Sequence, residues 1–456
     1  MSSELNRAEL DREHAIVIGG SMAGLLAARV LADHYRQVTL LERDIFPLPG
    51  ENRRGVPQGK HTHGLLASGR RVLDRLFPGI SQELVDGGAE SGDIVGRSRW
   101  FNEGGSHVQF SSGLDGLLMS RPFLEGKVRA RVLALGNVQN RQNCVVDALT
   151  AAQGRVTGVR AAGEDLTADL VVDATGRGSH SPQWLEAIGY EKAPEERVEV
   201  ALGYASRFFR RKPNDLNGDM AVIIPPTPQG KRGGVMLAQE GDRWTVTLVS
   251  HFGNYAPIEL EGFREYARTL PAPFIYEVVR NAEPMCDGAT ARFPASVRRR
   301  YERIECFPEG YLVFGDAISS FNPIYGQGMS VAALESIELD TTLREGTADL
   351  AKRFFARAAK VVDIPWSIAV GNDLRMPETV GPRNAGVNFI NWYMEKLHKA
   401  AHTDQVSAMA FHRVANLLEP PPSVMKPRVA MHVLWANLRS KPKASSEPAL
   451  EATAGK

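Results

Sequence analysis

Residues 14–44 read HAIVIGGSMAGLLAARVLADHYRQVTLLERD. The stretch opens with an apolar run, breaks at Gly19 and Gly20, continues with small and apolar residues at helical spacing, and ends with a second apolar run before Glu42. This order predicts a strand, a tight turn, a helix and a second strand, which is the βαβ unit that holds a dinucleotide. In such a unit Gly19 permits the sharp turn and Gly24 lets helix and strand pack closely, while free N–H groups at the helix start face a pyrophosphate.

The glycine pattern departs from the dinucleotide consensus at one position. Aligning Gly19 and Gly24 with the outer glycines places Ser21 in the middle, where a serine is small enough for the backbone to approach a phosphate. Glu42 lies at roughly the 20-residue spacing of an acid that accepts hydrogen bonds from ribose hydroxyls. An ordinary βαβ crossover without a ligand is the alternative, and the acid favours a cofactor over it. The other candidate cofactor contacts in this unit are Gly20, Met22, Ala23 and Arg43.

The composition excludes several function classes. The 54 basic residues are balanced by 53 acidic residues, so the formal net charge of +1 creates no field that would attract nucleic acid or an anionic membrane. Cys144, Cys286 and Cys306 are odd in number and widely spaced, as expected of reduced side chains rather than a disulfide framework or a metal site. The first residues lack the apolar core of a signal peptide, and no apolar stretch reaches the ~18 residues of a membrane span. We therefore expect a soluble, cytoplasmic protein.

A long loop rich in proline, glycine and arginine follows the βαβ unit, with the sequence RDIFPLPGENRRGVPQGKHTHGLL at residues 43–66. Long loops in compact domains are often functional, so two interpretations stay open: a solvated basic loop, or a segment that folds over the cofactor or lines the active site. On the second interpretation Arg54 is a candidate cofactor contact. His61 and His63 have no nearby cysteine or acid that completes a ligand set, so we expect no metal site.

Further cofactor contacts are predicted along the middle of the chain. A helix predicted over residues 118–135 places Arg121 at its start, close to where the phosphates of a cofactor would lie. A hairpin predicted over residues 143–162 contributes Val145. A buried strand at residues 170–172 then leads into DATGRGS, and the carboxyl ends of such strands are where α/β sheets bind ligands. Asp173, Gly176 and Gly178 in this segment predict a second cofactor contact.

The strand-to-helix pattern returns near residue 311. A buried strand at residues 311–314 is followed by GDAISSFNPIYGQGMSVAALES, in which Pro323 shapes a loop and a helix starts at Met329 after Gly326 and Gly328. Asp316 at the strand end is placed to hold a ribose or ribityl hydroxyl. Backbone N–H groups after Gly328 are placed to stabilise the reduced, anionic form of a redox ring.

The segments around these motifs have a different character. Alternating runs over residues 199–292, with a helix at 260–270, predict a separate antiparallel sheet that serves as a substrate-binding layer. Its aromatic residues, Tyr204, Phe208, Trp244 and Phe252, either line a lipophilic pocket or form plain core.

Beyond residue 344 the chain is predicted to be helical, at 349–362, 388–398 and 406–418. The apolar runs NFINWYM (388–394) and MHVLWANL (431–438) could cover the substrate layer, form a dimer contact or touch a membrane surface.

The three strand-end motifs, in this order, resemble the FAD-dependent monooxygenases of the para-hydroxybenzoate hydroxylase fold. Within that fold, four segments are most similar to squalene epoxidase and to bacterial polyether-pathway epoxidases. They are GVPQGKHTHGLL (55–66), DLVVDATGRGSHSPQWLEAIGY (169–190), SFNPIYGQGMSVAALE (320–335) and PWSIAVGNDLR (365–375).

The resemblance implies an α/β fold with a Rossmann-like FAD-binding domain, an inserted antiparallel-sheet substrate domain and a helical C-terminal region. It implies Glu42 on the adenosine ribose, Arg121 near the phosphates and Asp316 on the ribityl chain. It also implies that reduced flavin reacts with O2 to a C4a-hydroperoxide, which transfers one oxygen atom to a small lipophilic alkene or electron-rich ring, with epoxidation ahead of hydroxylation. The flavin carries this chemistry, and no residue is assigned as a catalytic acid or base.

The predicted domain boundaries follow from these motifs. Residues 1–80, 115–185 and 300–345 form the FAD-binding domain, and 81–114 with 186–299 form the substrate domain. Residues 346–440 form the helical region, and 441–456 a disordered tail.

Two departures from the family affect the electron donor and the reaction. DATG at residues 173–176 replaces the usual Asp-Gly, and no second glycine-rich dinucleotide fold is visible, so NAD(P)H binds transiently or a separate flavin reductase supplies electrons. The chain lacks the WxWxIP segment and an obvious catalytic lysine of the flavin-dependent halogenases, which disfavours halogenation. A flavin-dependent reductase of the geranylgeranyl reductase type and a flavin-binding protein without turnover remain as alternatives.

Overall fold

The computed structural model describes residues 12–48, 50–53, 55–383 and 385–439. The predicted contact Arg54 and the tail predicted to be disordered, 441–456, lie outside the described residues. The strands are β1 His14–Ile18, β2 Gln37–Leu41, β3 Glu90–Asp93, β4 Ser98–Asn102, β5 Gly105–Ser106, β6 Asp115–Leu118, β7 Val138–Arg141, β8 Val146–Ala152, β9 Arg155–Ala161, β10 Glu164–Thr167, β11 Leu170–Asp173, β12 Glu195–Arg210, β13 Ala221–Ile224, β14 Arg232–Gln239, β15 Arg243–His251, β16 Ala289–Arg299, β17 Tyr311–Val313 and β18 Ser319–Ser320. The helices are α1 Met22–Leu31, α2 Ala67–Leu76, α3 Ile80–Asp86, α4 Arg121–Leu133, α5 Ser181–Ala187, α6 Leu260–Arg268, α7 Phe274–Val279, α8 Gly328–Arg344, α9 Leu350–Asp373, α10 Ala385–Ala400, α11 Gln405–Ala415 and α12 Pro427–Arg439.

A five-stranded parallel sheet contains the three strands that precede the predicted motifs. Its strand order is β17-β11-β1-β2-β7, and every pairing is parallel. Ala15 to Val17 in the central strand are fully buried, because a parallel sheet packs helices on both of its faces. The helix α1 contacts both α8 and α4. The strand, turn, helix and strand predicted from residues 14–44 are confirmed.

The second layer is an eight-stranded sheet in the order β18-β16-β12-β15-β14-β13-β4-β5. Its pairings are antiparallel except that between β13 and β4, which confirms the predicted antiparallel sheet. The helices α6 and α7 pack their apolar sides, including Phe263 and Ile275, against Trp244 and its neighbours in this sheet. One smaller sheet has the strand order β10-β9-β8, and another pairs β3 with β6. The domain boundaries given above stay predictions.

The C-terminal helices form a third unit with a small core of its own, which includes Leu397, Ala400, Val424 and Val433. The helix α9 is longer than predicted, because it continues through Pro365 to Asp373. The apolar runs at 388–394 and 431–438 leave several large side chains exposed, and the role of these runs stays a prediction. They are Phe389, Ile390, Trp392, Met431, Leu434, Trp435 and Leu438. No helix among the described residues is both long and apolar enough to span a bilayer.

Candidate active site

A cavity of about 1030 Å³ lies between the two large sheets. It begins at the carboxyl ends of β1 and β2, passes the carboxyl ends of β11 and β17, and continues along the eight-stranded sheet to α9 and α10. Ligands of α/β proteins bind at these strand ends. Most of the predicted site residues line the cavity, namely Gly19, Gly20, Ser21, Met22, Ala23, Glu42, Arg43, Arg121, Val145, Gly176, Asp316, Pro323, Gly326, Gly328 and Met329.

The turn before α1 fits close contact with a phosphate group. Gly19 has a φ of +100°, which side chains rarely adopt, and a Cβ on Gly24 would lie 1.7 Å from the Gly19 carbonyl oxygen. Gly24 itself lies behind the cavity wall and serves helix packing. The Ser21 side chain makes no capping bond to the first turn of α1, which leaves the first N–H groups of the helix without that acceptor.

A buried network of charged side chains holds this end of the cavity. The Glu42 carboxylate accepts from the Gly20 N–H at 2.7 Å and pairs with Arg53 at 2.6 Å. Arg53 also donates to Glu125 at 3.2 Å, and its side chain is only 6% exposed. Two carboxylates are therefore bridged by one guanidinium, which offsets the cost of burying them.

The network continues to the predicted phosphate region. The Ser21 hydroxyl donates to Glu125 at 3.0 Å, and Arg121 donates to the Ser21 oxygen at 2.7 Å. Sequence reasoning missed Arg53, since it assigned the neighbouring Arg54, and it missed Glu125. The signal for Glu125 was its position four residues after Arg121 on α4, where the two side chains share one face.

The segment after β11 corrects one prediction. The Asp173 side chain is fully buried and accepts from the hydroxyls of Thr175, Ser179 and Ser181. It therefore fixes the turn after the strand and does not reach the cavity, whereas the following residues line it. Gly176, with a φ of +79°, approaches the side chain of Asp316.

Asp316 lies at the centre of the cavity, in the turn after β17. Burial raises the pKa of its carboxyl, which Arg121 and Arg177 partly oppose. The helix α8 begins at Gly328, and the side chain of its N-cap residue Gln327 makes no capping bond. A second uncapped helix N-terminus therefore adjoins the cavity beside an acid, as predicted from the sequence.

Glu335 lies one layer behind this centre. Its carboxylate oxygen accepts from the Gly315 N–H at 2.8 Å, and its other oxygen is buried without a partner among the described residues. Burial raises the pKa of Glu335 to about 8. The side chain therefore holds a proton at neutral pH and ties α8 to the turn that carries Asp316.

The loop at residues 55–66 lies against the cavity, so the interpretation as a solvated loop is wrong for this part of it. His61 bonds to the Ser206 hydroxyl at 2.8 Å and meets the Tyr204 ring edge-on at 4.6 Å. Burial lowers the pKa of His61 to about 4 and that of His63 to about 3, so both imidazoles are neutral at pH 7. The described residues contain no cluster of potential metal ligands.

The half of the cavity next to the eight-stranded sheet is largely apolar. Of the four aromatic residues considered above, Tyr204 lines the cavity, whereas Trp244 is core and donates to Asp215 at 2.9 Å. The apolar wall includes Ile224, Val235, Leu237, Val249, Phe321 and Ile368.

One buried acid in this half of the cavity was not predicted. Asp373, at the end of α9, lines the cavity and accepts from Asn322 and from the Tyr325 hydroxyl, both at 2.8 Å. Nothing in the local sequence signals this contact, because the two partners lie about fifty residues earlier in the chain.

Comparison with known proteins finds relatives in sequence and in fold. No protein-family model matches it. Protein Rv3254 of Mycobacterium tuberculosis (strain ATCC 25618 / H37Rv) is 35% identical over 443 residues, which cover 90% of each chain. Kynurenine 3-monooxygenase of Salinispora tropica is 24% identical over 345 residues, or 73% of each chain.

Two solved structures share the fold. The flavin-dependent brominase Bmp2 aligns with a TM-score of 0.65 and 13% identity, over 88% of this chain and 93% of its own. A 2-methyl-3-hydroxypyridine-5-carboxylic acid oxygenase aligns with a TM-score of 0.61 and 20% identity, over 89% of this chain and 98% of its own. The predicted fold class is confirmed, and the finer resemblance to squalene epoxidase stays a prediction. With 35% identity over 90% of its length, the chain belongs to the family of the Mycobacterium tuberculosis protein Rv3254.

Proposed function

We propose that the chain binds FAD along the polar half of the cavity. Three features fit this cofactor: the glycine turn that a Cβ would fill, the uncapped starts of α1 and α8, and an acid at each end of the channel. Glu42 would hold the adenosine ribose, Arg121 and the start of α1 the pyrophosphate, and Asp316 the ribityl chain. The remaining predicted contacts, Arg43, Val145, Gly176, Pro323, Gly326, Gly328 and Met329, lie along the same channel.

We propose further that the protein is a flavin-dependent monooxygenase. The single observation that carries this function is one continuous cavity that joins the polar channel to an apolar chamber over the eight-stranded sheet. When bound, FAD supplies the redox centre at which O2 is activated. The start of α8 would stabilise negative charge at that centre, while the apolar wall excludes water and orients the substrate. The names of the kynurenine 3-monooxygenase and the pyridine oxygenase above support this reaction class.

The chamber suits a small lipophilic substrate, and we place epoxidation ahead of hydroxylation. Hydroxylation of a phenol gains from a base that removes the ring proton. His61 and His63 are poor bases because their pKa values are lowered, whereas oxygen transfer to an alkene needs no base. Electrons come from NAD(P)H or from a separate flavin reductase.

The test is oxygen incorporation. The purified protein is assayed for bound FAD, then supplied with NAD(P)H, a flavin reductase and lipophilic alkenes or phenols under ¹⁸O2. We expect stoichiometric FAD and one ¹⁸O atom in each product molecule. Reduction of a prenyl double bond in the absence of O2 would instead identify a reductase. In a parallel assay with added bromide, a product that carries bromine would identify a halogenase. No lysine lines the cavity among the described residues, which disfavours the last outcome.

A further inference from the structure

Asp373 is a buried residue with one carboxyl oxygen that accepts hydrogen bonds and one that has no partner among the described residues. The residue is 1% exposed, although it lines the cavity. Its Oδ1 atom accepts from Asn322 Nδ2 and from the Tyr325 hydroxyl, both at 2.8 Å. Its Oδ2 atom is buried and has no hydrogen-bond partner among the described residues. A buried polar atom without a partner costs free energy, so its retention calls for an explanation.

No cation in the described part of the chain pairs with this carboxyl. Arg375, which also lines the cavity nearby, is bound to Glu103 in a partly buried ion pair. Tyr325 and Asn322 are neutral donors, and burial raises the pKa of the Tyr325 phenol well above its usual value. Burial likewise raises the pKa of Asp373 to about 7, since its two hydrogen bonds only partly offset the loss of solvation.

The proton of the neutral form belongs on Oδ2. Oδ1 already accepts two hydrogen bonds, whereas Oδ2 accepts none. The protonated side chain is thus a hydrogen-bond donor in a part of the wall that includes the apolar side chains of Phe321 and Ile368. A group of this kind binds a neutral oxygen acceptor and gains little from a pure hydrocarbon.

We propose that Asp373 Oδ2 is a subsite for one neutral carbonyl or hydroxyl oxygen of an otherwise apolar substrate. The inference deepens the proposed function, and it rests on that function in placing the substrate in the apolar half of the cavity. Tyr325 directly precedes the turn at Gly326 that leads into α8, so the subsite adjoins the proposed flavin channel. The substrate would be anchored by its oxygen at this wall, with its apolar body along the eight-stranded sheet.

The competing explanation is purely structural: Asp373 ties the end of α9 to the turn at residues 322–325 and binds no ligand. Two variants separate the explanations. Asp373→Asn keeps an oxygen for Asn322 and Tyr325 and places a permanent N–H donor at the Oδ2 position. Asp373→Leu removes both the acceptor oxygen for Asn322 and Tyr325 and the donor at the Oδ2 position. The matched control is Glu378→Gln, which changes an acid on the surface that pairs with Lys231.

The test uses FAD-loaded protein and two probes of the same shape, 2-acetylnaphthalene and 2-isopropenylnaphthalene, in equilibrium dialysis. The native protein and Glu378→Gln should bind the ketone about tenfold more tightly than the alkene at pH 6, and this preference should fall as the pH rises through 7. Asp373→Asn should keep the preference at every pH, and Asp373→Leu should lose it.

Equal binding of the two probes by the native protein, or a preference in Asp373→Asn that still falls with pH, would overturn the inference, as would the absence of binding. Infrared difference spectra give a measurement independent of any ligand: the native-minus-Asp373→Asn spectrum at pH 6 should contain the C=O stretch of one protonated carboxyl, since the Glu335 band is common to both proteins and cancels. An unchanged spectrum would also overturn the inference. Bound FAD is measured on the same samples, so failure of the proposed function is scored separately.

Discussion

Replacing Glu335 by glutamine tests whether a protonated acid supports the centre of the site. The folded protein holds this proton up to about pH 8, whereas the ordinary carboxyl of the unfolded chain releases it near 4.5. Between these values the unfolded chain binds fewer protons, so the free energy of unfolding falls as the pH rises. At ~1.4 kcal/mol for each pH unit, Glu335 accounts for a loss of about 3 kcal/mol between about pH 5.5 and 8.

The assay is urea unfolding of the native protein and of Glu335→Gln at intervals across this pH range. The amide keeps an acceptor for the Gly315 N–H and has no charge to bury, so the variant should lose about 3 kcal/mol less than the native protein. Glu338→Gln is the control, because Glu338 lies on the same helix but is partly exposed and pairs with Arg357. If the native protein and Glu335→Gln lose stability in parallel, the reasoning about Glu335 is wrong.

Three further outcomes are expected. Gly24→Ala should lower both bound FAD and the urea midpoint, because its Cβ would lie 1.7 Å from the Gly19 carbonyl oxygen. Overpacking of this kind costs at least ~1–3 kcal/mol, and an unchanged midpoint would contradict the tight turn. Arg53→Ala should lower the free energy of unfolding by about 3–5 kcal/mol, since Glu42 and Glu125 lose their shared cation. A loss below ~1 kcal/mol would argue against the buried network. Leu237→Trp should leave the FAD content unchanged. It should lower ¹⁸O incorporation more than about tenfold, because the larger side chain fills the apolar chamber. Full activity of this variant would place the substrate elsewhere.

Local patterns predicted most of the framework. The βαβ unit at residues 14–44 was predictable because its turn, helix period and acid all lie within one continuous stretch. The helix α4 was predictable for the same reason: Ser120 caps it by accepting from the Phe123 N–H. Local sequence also explains why α2 and α3 are separate helices, because Pro78 and Gly79, with a φ of +84°, lie between them.

Side-chain direction was the part that the sequence could not supply. The position of Arg53 depends on contacts with Glu42 and Glu125, from separate elements, which no local pattern signals. Asp173 has the sequence context of a ligand contact, yet its carboxylate is buried and accepts hydrogen bonds from three hydroxyl groups. Asp373 becomes notable only when α9 meets the turn at residues 322–325, because its partners are distant in the chain.

The strand order also governs how the chain can fold during its synthesis. The helix α8, which packs on α1, is translated after the whole eight-stranded sheet. The first βαβ unit therefore leaves the ribosome long before this one of its partners exists. At ~5–20 residues per second, the roughly 300 residues between Leu41 and Arg344 take about 15–60 s to translate. Throughout that interval the apolar face of α1 lacks α8, and any truncation before Gly328 would make this exposure permanent. The packing of α1 can therefore be completed only after residues 328–344 have been made.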